Sequence, residues 1–246
     1  MTDNTKKFIE TNIELINSKD WEELLKLLSS ESNVEKDDII KVFLQSGINL
    51  LENVTKIPNN AFRDCTTLDK ILIPDGVKTI GIGSFAYCIN LKNIMIPDSV
   101  TDIEYGSFHR CNNLVDVTIG SGCITIGTGA FYGCIKLESI TMSNSIETIG
   151  ACAFCGCKNL KSITIPDSVK EIHDHAFDEC KSLVDITIGN GVTRIESQSF
   201  NNCSSLKNIK FNGTIDQWNS IVVNPQFNAA SAVQTITCVD GVLDRS

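Results

Sequence analysis

The sequence predicts an α/β solenoid, a right-handed coil with short parallel strands and a helical N-terminal cap. Three observations predict it. Phenylalanine recurs every 23 residues at Phe62, Phe85, Phe108, Phe131, Phe154, Phe177 and Phe200. A cysteine stands three places after each Phe, from Cys65 to Cys203, and a leucine three places further, from Leu68 to Leu206. Paired apolar positions follow in each unit, as in Ile71/Ile73, Ile163/Ile165, Val77/Ile80 and Val169/Ile172.

The elements follow in chain order. Residues 1–47 read as a helical N-terminal cap of two or three helices, because Phe8, Ile9, Ile13 and Ile16, then Trp21, Leu24, Leu25 and Leu28, then Ile39, Ile40, Val42 and Phe43 recur at helical spacing. Leu51 to Asn60 is a half coil, since Val54 and Ile57 already fill the last apolar pair of a unit. Residues 48–211 form the solenoid of seven repeats. Within a unit, the small-Phe-x-x-Cys-x-x-Leu stretch suits one inward-facing helical or 3₁₀ turn, whereas I-x-I and V-x-x-I suit short strands. Corners such as Pro74-Asp75-Gly76, Pro97-Asp98-Ser99 and Gly120-Ser121-Gly122 turn the chain at the same place each time. Residues 212–246 close the stack as a C-terminal cap, with Trp218 as a wet-edge aromatic and Ile236 and Cys238 on one further strand. Both ends need covering, because a stack of coils otherwise exposes apolar columns and strand edges.

The pattern is clearest in Ala153 to Ile172, AFCGCKNLKSITIPDSVKEI. It resembles the BspA-like leucine-rich repeat family over roughly residues 48 to 211. The resemblance implies a leucine-rich-repeat coil used for adhesion or protein binding, with no catalytic residues to carry over. Gly120, Ser143 and Gly189 depart from it by replacing the corner proline, and Cys123 stands where other units have Val or Ile.

Composition narrows the function classes. Thirty acidic against 21 basic residues give net −9, the wrong sign for a nucleic-acid backbone or an anionic membrane. No apolar run reaches the ~18 residues that span a bilayer, so no membrane insertion is expected. Eleven cysteines are an odd number, and the seven regular ones are explained as buried core packing. The chain as written shows no signal peptide, and its free thiols favour a cytoplasmic over a cell-surface location. A monomer is expected, with no cofactor.

Two surface features carry the functional expectations. The position between the strand isoleucines runs Leu72, Met95, Thr118, Thr141, Thr164, Thr187, a threonine stripe with an apolar end. It is the candidate binding face for a protein or glycoprotein partner, with Leu72 and Met95 as anchors. Threonine's preference for strands explains the stripe equally well. The second feature is Cys152, Cys155, His173 and His175, two cysteines and two histidines from adjacent coils, a donor set of the type zinc takes. A chance surface cluster and a Cys152–Cys155 disulfide are the readings beside it. No phosphate loop, nucleophile elbow or recurring acid pair is present, so the chain reads as a binding module and not an enzyme. An intracellular scaffold that binds through its N-terminal helices, and a thiol or zinc enzyme at the Cys/His cluster, are the alternatives.

Overall fold

The computed structural model describes residues 3–18, 20–30, 36, 39–40, 51–224, 233 and 235–244. The chain begins with α1 (Asp3–Thr11), α2 (Ile13–Ser18) and α3 (Trp21–Ser30). Val42, Phe43 and Leu44 of the expected third helical run lie outside the described residues. Phe8 of α1 and Trp21, Leu24, Leu25 and Leu28 of α3 are buried, and they belong to the same apolar cluster as Leu51, Val54 and Phe62 of the first coil.

Short strands then follow in order: β1 (Lys56–Ile57), β2 (Thr79–Ile80), β3 (Asn93–Ile96), β4 (Asp102–Ile103), β5 (Asp116–Ile119), β6 (Thr125–Ile126), β7 (Ser139–Thr141) and β8 (Thr148–Ile149). The second half carries β9 (Ser162–Ile165), β10 (Glu171–Ile172), β11 (Asp185–Ile188), β12 (Arg194–Ile195), β13 (Asn208–Phe211), α4 (Ile215–Ser220), β14 (Val222–Val223), β15 (Thr235–Cys238) and β16 (Gly241–Asp244). The V-x-x-I segments pair in parallel as one eight-stranded sheet, β1-β2-β4-β6-β8-β10-β12-β14. The I-x-I segments make the second face in two parts, β3-β5-β7 and β9-β11-β13-β15-β16, all parallel except the closing β15–β16 pair. The architecture is the expected solenoid, of about eight turns. One expected strand is missing: residues 70–73 of the first coil form none, and Ile71 is only half-buried there.

The core consists of columns. The seven repeat phenylalanines are fully buried and stack with rings nearly parallel, 5.0 to 5.5 Å between successive centroids. A spacing near 5 Å is the distance between hydrogen-bonded strands, so each ring rests on the ring one coil away.

The Phe–Cys stretch keeps the three-residue bonds of the expected helical or 3₁₀ turn but is not a continuous helix. It is a chain of tight turns in which the amides alternate in direction. Arg63 N donates to Asn60 O (3.1 Å) and Cys65 N to Phe62 O (3.1 Å), within the coil. Between them Phe62 N donates to Ser84 O (2.7 Å) and Asp64 N to Ala86 O (2.8 Å), in the next coil. The cause is a left-handed residue on each side of the Phe, such as Asn60 (φ 57°) and Asp64 (φ 62°), which no helix accommodates. A third face of the solenoid, the turn face, is thereby tied coil to coil.

At the far end Thr214 caps α4: its hydroxyl accepts from Gln217 N, and the Gln217 side chain accepts from Thr214 N. The helix sets the Trp218 ring edge-on against Phe211, 5.4 Å between centroids.

Candidate functional site

The strand face presents the expected stripe in register. Met95 lies opposite Thr118, and Thr118 opposite Thr141; Thr164 lies opposite Thr187, and Thr187 opposite Lys210. Alternation forces this, because the flanking isoleucines point into the core and the residue between them must point out. Leu72 and Met95, one repeat apart in the sequence, are 70% and 67% exposed, and Leu72 lies in the coil that forms no strand here. Beside them Met95, Thr118, Asp75, Asp98 and Gly120 line a groove of about 400 Å³. The Asp98 carboxylate accepts a 2.6 Å bond from Ser121 N in the next coil, and that bond holds its pKa below the usual carboxylate value. The rim therefore carries a fixed negative charge beside an apolar anchor.

The parallel column one step from the stripe satisfies itself between coils. Ser139 Oγ donates to Asp116, and Asn208 Nδ2 donates to Asp185 Oδ1 at 2.6 Å. Those four side chains are occupied by one another.

The Cys/His set is only partly assembled. A tight turn, closed by Cys155 N donating to Cys152 O at 3.1 Å, brings Cys152 and Cys155 close together. Both imidazoles face carboxylates instead. His175 Nδ1 is 3.0 Å from Asp178 Oδ2, and His173 Nδ1 is 3.4 Å from Glu171 Oε1. Among the described residues no group of three or more His, Cys, Asp or Glu side chains is arranged to hold a metal ion. All eleven cysteines are free thiols. Burial, with the Asp178 charge, pushes the Cys155 thiol up to about 12, and burial also raises Cys152, so neither is an activated nucleophile.

The sequence reading missed a second surface, on the turn face. There Arg63 sits over the Tyr87 ring (4.9 Å), Tyr87 meets His109 edge-on (5.3 Å), and His109 stacks on Tyr132 (4.9 Å, 8° between planes). The ladder ends at a groove of about 370 Å³. The signal in the sequence is a broken column. Two places after each Phe stand Asp64, Tyr87, Arg110, Gly133, Gly156, Glu179 and Asn202, and the two adjacent glycines leave the gap.

A family model described as BspA type leucine rich repeat region matches residues 42–142 and 124–238. The chain is similar to the crystal structure of a leucine rich repeat protein from T. pallidum, with 26% identity and TM-score 0.60, covering 73% of this chain and 80% of that one. It is also similar to a leucine-rich repeat protein from Bacteroides ovatus, with 25% identity and TM-score 0.51, covering 76% of this chain and 59% of that one. No curated protein matches the sequence.

Proposed function

Because the chain belongs to the BspA type leucine-rich repeat family, whose members are typically protein-interaction or surface proteins, we propose that it is a recognition module that binds a protein partner through its strand face. Adhesion or partner recognition is its role in this reading, and it performs no catalysis. The carrying observation is the exposure of Leu72 and Met95, two large apolar side chains at the same position of successive repeats. Burying each against a partner contributes about 1.5–3 kcal/mol, whereas leaving them in water gains nothing. The threonine column beyond them supplies hydroxyls at one per coil, and Asp75 and Asp98 at the rim favour a partner that brings a basic residue next to an apolar one.

The test is capture of partners from cells that express the protein, comparing wild type with Leu72→Glu/Met95→Glu and with Lys170→Glu, a substitution on an exposed residue of a different face. The reading expects the double variant to lose the wild-type partner by at least about tenfold in affinity, with Lys170→Glu unaffected. Retained binding by the double variant, in a chain that melts normally, would assign recognition to another surface such as the N-terminal helices.

A further inference from the structure

The turn-face groove is built by two missing side chains. Gly133 and Gly156 occupy left-handed positions (φ 69° and 74°), and the Arg110 side chain crosses over Gly133, its Cγ 3.1 Å from where a Cβ would stand. A side chain in either place would fill the gap. The volume lies within the ~300–1,000 Å³ of small-molecule sites.

The walls carry three kinds of group. One is the Tyr132 ring. His109 stacks on its face toward the preceding coil, and the same place in the following coil holds Cys155, a small side chain with no ring. Tyr132, Cys155 and Gly156 all line the groove. The second is an unpaired cation on each side, Arg110 and Lys158; among the described residues neither is in an ion pair. The third is a set of groups suited to hydroxyls. Among the described residues Glu179 is in no ion pair, and the Asn112 amide nitrogen, oriented as its neighbours require, donates to Arg110 O (3.2 Å) and Gly133 O (3.1 Å), which leaves its carbonyl to accept. Asp178 is already occupied, by His175 and by Asn201 Nδ2 at 3.0 Å.

An aromatic side chain, acceptors for hydroxyls and two free cations match one ligand chemistry. We infer that this groove binds a sugar that bears a carboxylate, with the pyranose ring laid against Tyr132 and the acid group between Arg110 and Lys158. Arg110 offers a carboxylate the two parallel N–H donors of a guanidinium. The Glu179 carboxylate accepts hydrogen bonds from vicinal hydroxyls, which an acidic peptide lacks, and so favours the sugar over the peptide. This site is independent of the strand face.

Calorimetric titration of the full chain with a galacturonic acid trisaccharide, its neutral galactose counterpart and a glutamate oligopeptide tests it. The acidic trisaccharide is expected to bind saturably, and the neutral sugar and the peptide each at least about tenfold more weakly. Tyr132→Ala and Arg110→Ala are each expected to weaken the acidic sugar by a similar factor. Arg110 is exposed and unpaired, so its variant carries the test if removing Tyr132 lowers the melting temperature. Equal binding of the peptide, binding unchanged in a folded Arg110→Ala chain, or no binding of the acidic sugar would each overturn the assignment.

Discussion

The thiol of Cys88 donates to the Phe62 carbonyl at 3.0 Å, and the same bond recurs down the column from Cys111 to Phe85, Cys134 to Phe108 and onward to Cys203 with Phe177. That carbonyl also accepts the amide of the cysteine in its own coil, as Phe62 O does from Cys65 N. A valine in this place would pack but donate nothing, and a serine would donate but cost more to bury. The periodic spacing makes the cysteine column legible as core. The thiol's bond to a residue 26 positions back is not legible, because it depends on how the next coil is laid down.

Two predictions belong to this column. Burial raises Cys134 from the ordinary thiol value near 9.0 to about 12. The unfolded thiol then loses its proton at lower pH than the folded one, so the contribution is complete below about pH 9 and is lost as pH rises from 9 toward 12. Cys134→Ala is expected to flatten that part of the stability–pH curve, measured by denaturant melts at successive pH values. Phe131→Ala empties one slot between two stacked rings and is expected to cost about 3–5 kcal/mol, read from the same melts. The small residue before each Phe supplies a third. Ser107 Oγ donates to Glu104 O at 2.6 Å, but Ser84 Oγ, equally buried, has no partner. Ser84→Ala is therefore expected to be neutral or stabilising by about 1 kcal/mol, and Ser107→Ala to destabilise by a similar amount.

The corners and the turns between columns were legible in kind, not in path. Turn residues mark the corners correctly, and Pro97 and Pro166 stand where the chain leaves a strand. What the sequence does not show is that the glycines of a Gly-x-Gly corner sit against the backbone of the preceding coil. A Cβ on Gly122 would collide with the Asp98 carbonyl, and one on Gly191 with the Asp167 carbonyl. The equivalent Ser99 has room, and its hydroxyl donates to Val77 O at 2.7 Å. The obstacle at Gly122 is backbone, which cannot rotate away, so Gly122→Ala is expected to destabilise by about 1–3 kcal/mol in a thermal melt. The Phe–Cys stretch misled for a related reason. Apolar residues three apart fit a helical turn, but the left-handed residues beside them are read only as ordinary polar positions until backbone angles are known. The turn-face groove escaped the reading for the same cause, since Gly133 and Gly156 signal a gap only once the column they interrupt is known to face outward.

The whole molecule is a one-dimensional stack, so its stability is a sum over junctions between neighbouring coils, and the weakest junction opens first. Three separate measures locate it between the coil of Phe131 and that of Phe154. The I-x-I face loses its strand pairing there, between β7 and β9, while the short-strand sheet continues through β8 and β10. The ring spacing is widest at this step, 5.5 Å. The thiol bond is longest there too, 3.3 Å from Cys157 Sγ to Phe131 O. The coil on the near side is the one in which Met142 and Ser143 replace the Ile-Pro pair seen at Ile96-Pro97 and Ile165-Pro166, and both Ile140 and Met142 are only half-buried. A flexible side chain replaces a stiff one, and the fixed φ of the proline is gone, so the strand is not held flat against its neighbour. Hydrogen exchange resolved by residue is expected to show the amides of β9 less protected than those of β11 by about five- to tenfold, since a backbone bond contributes about 1 kcal/mol. Met142→Ile/Ser143→Pro should restore protection to β9 and raise the melting temperature. Uniform protection across β5, β7, β9 and β11 in the unmodified chain would mean that the junction is as tight as its neighbours, and that the lapse in pairing has no energetic weight.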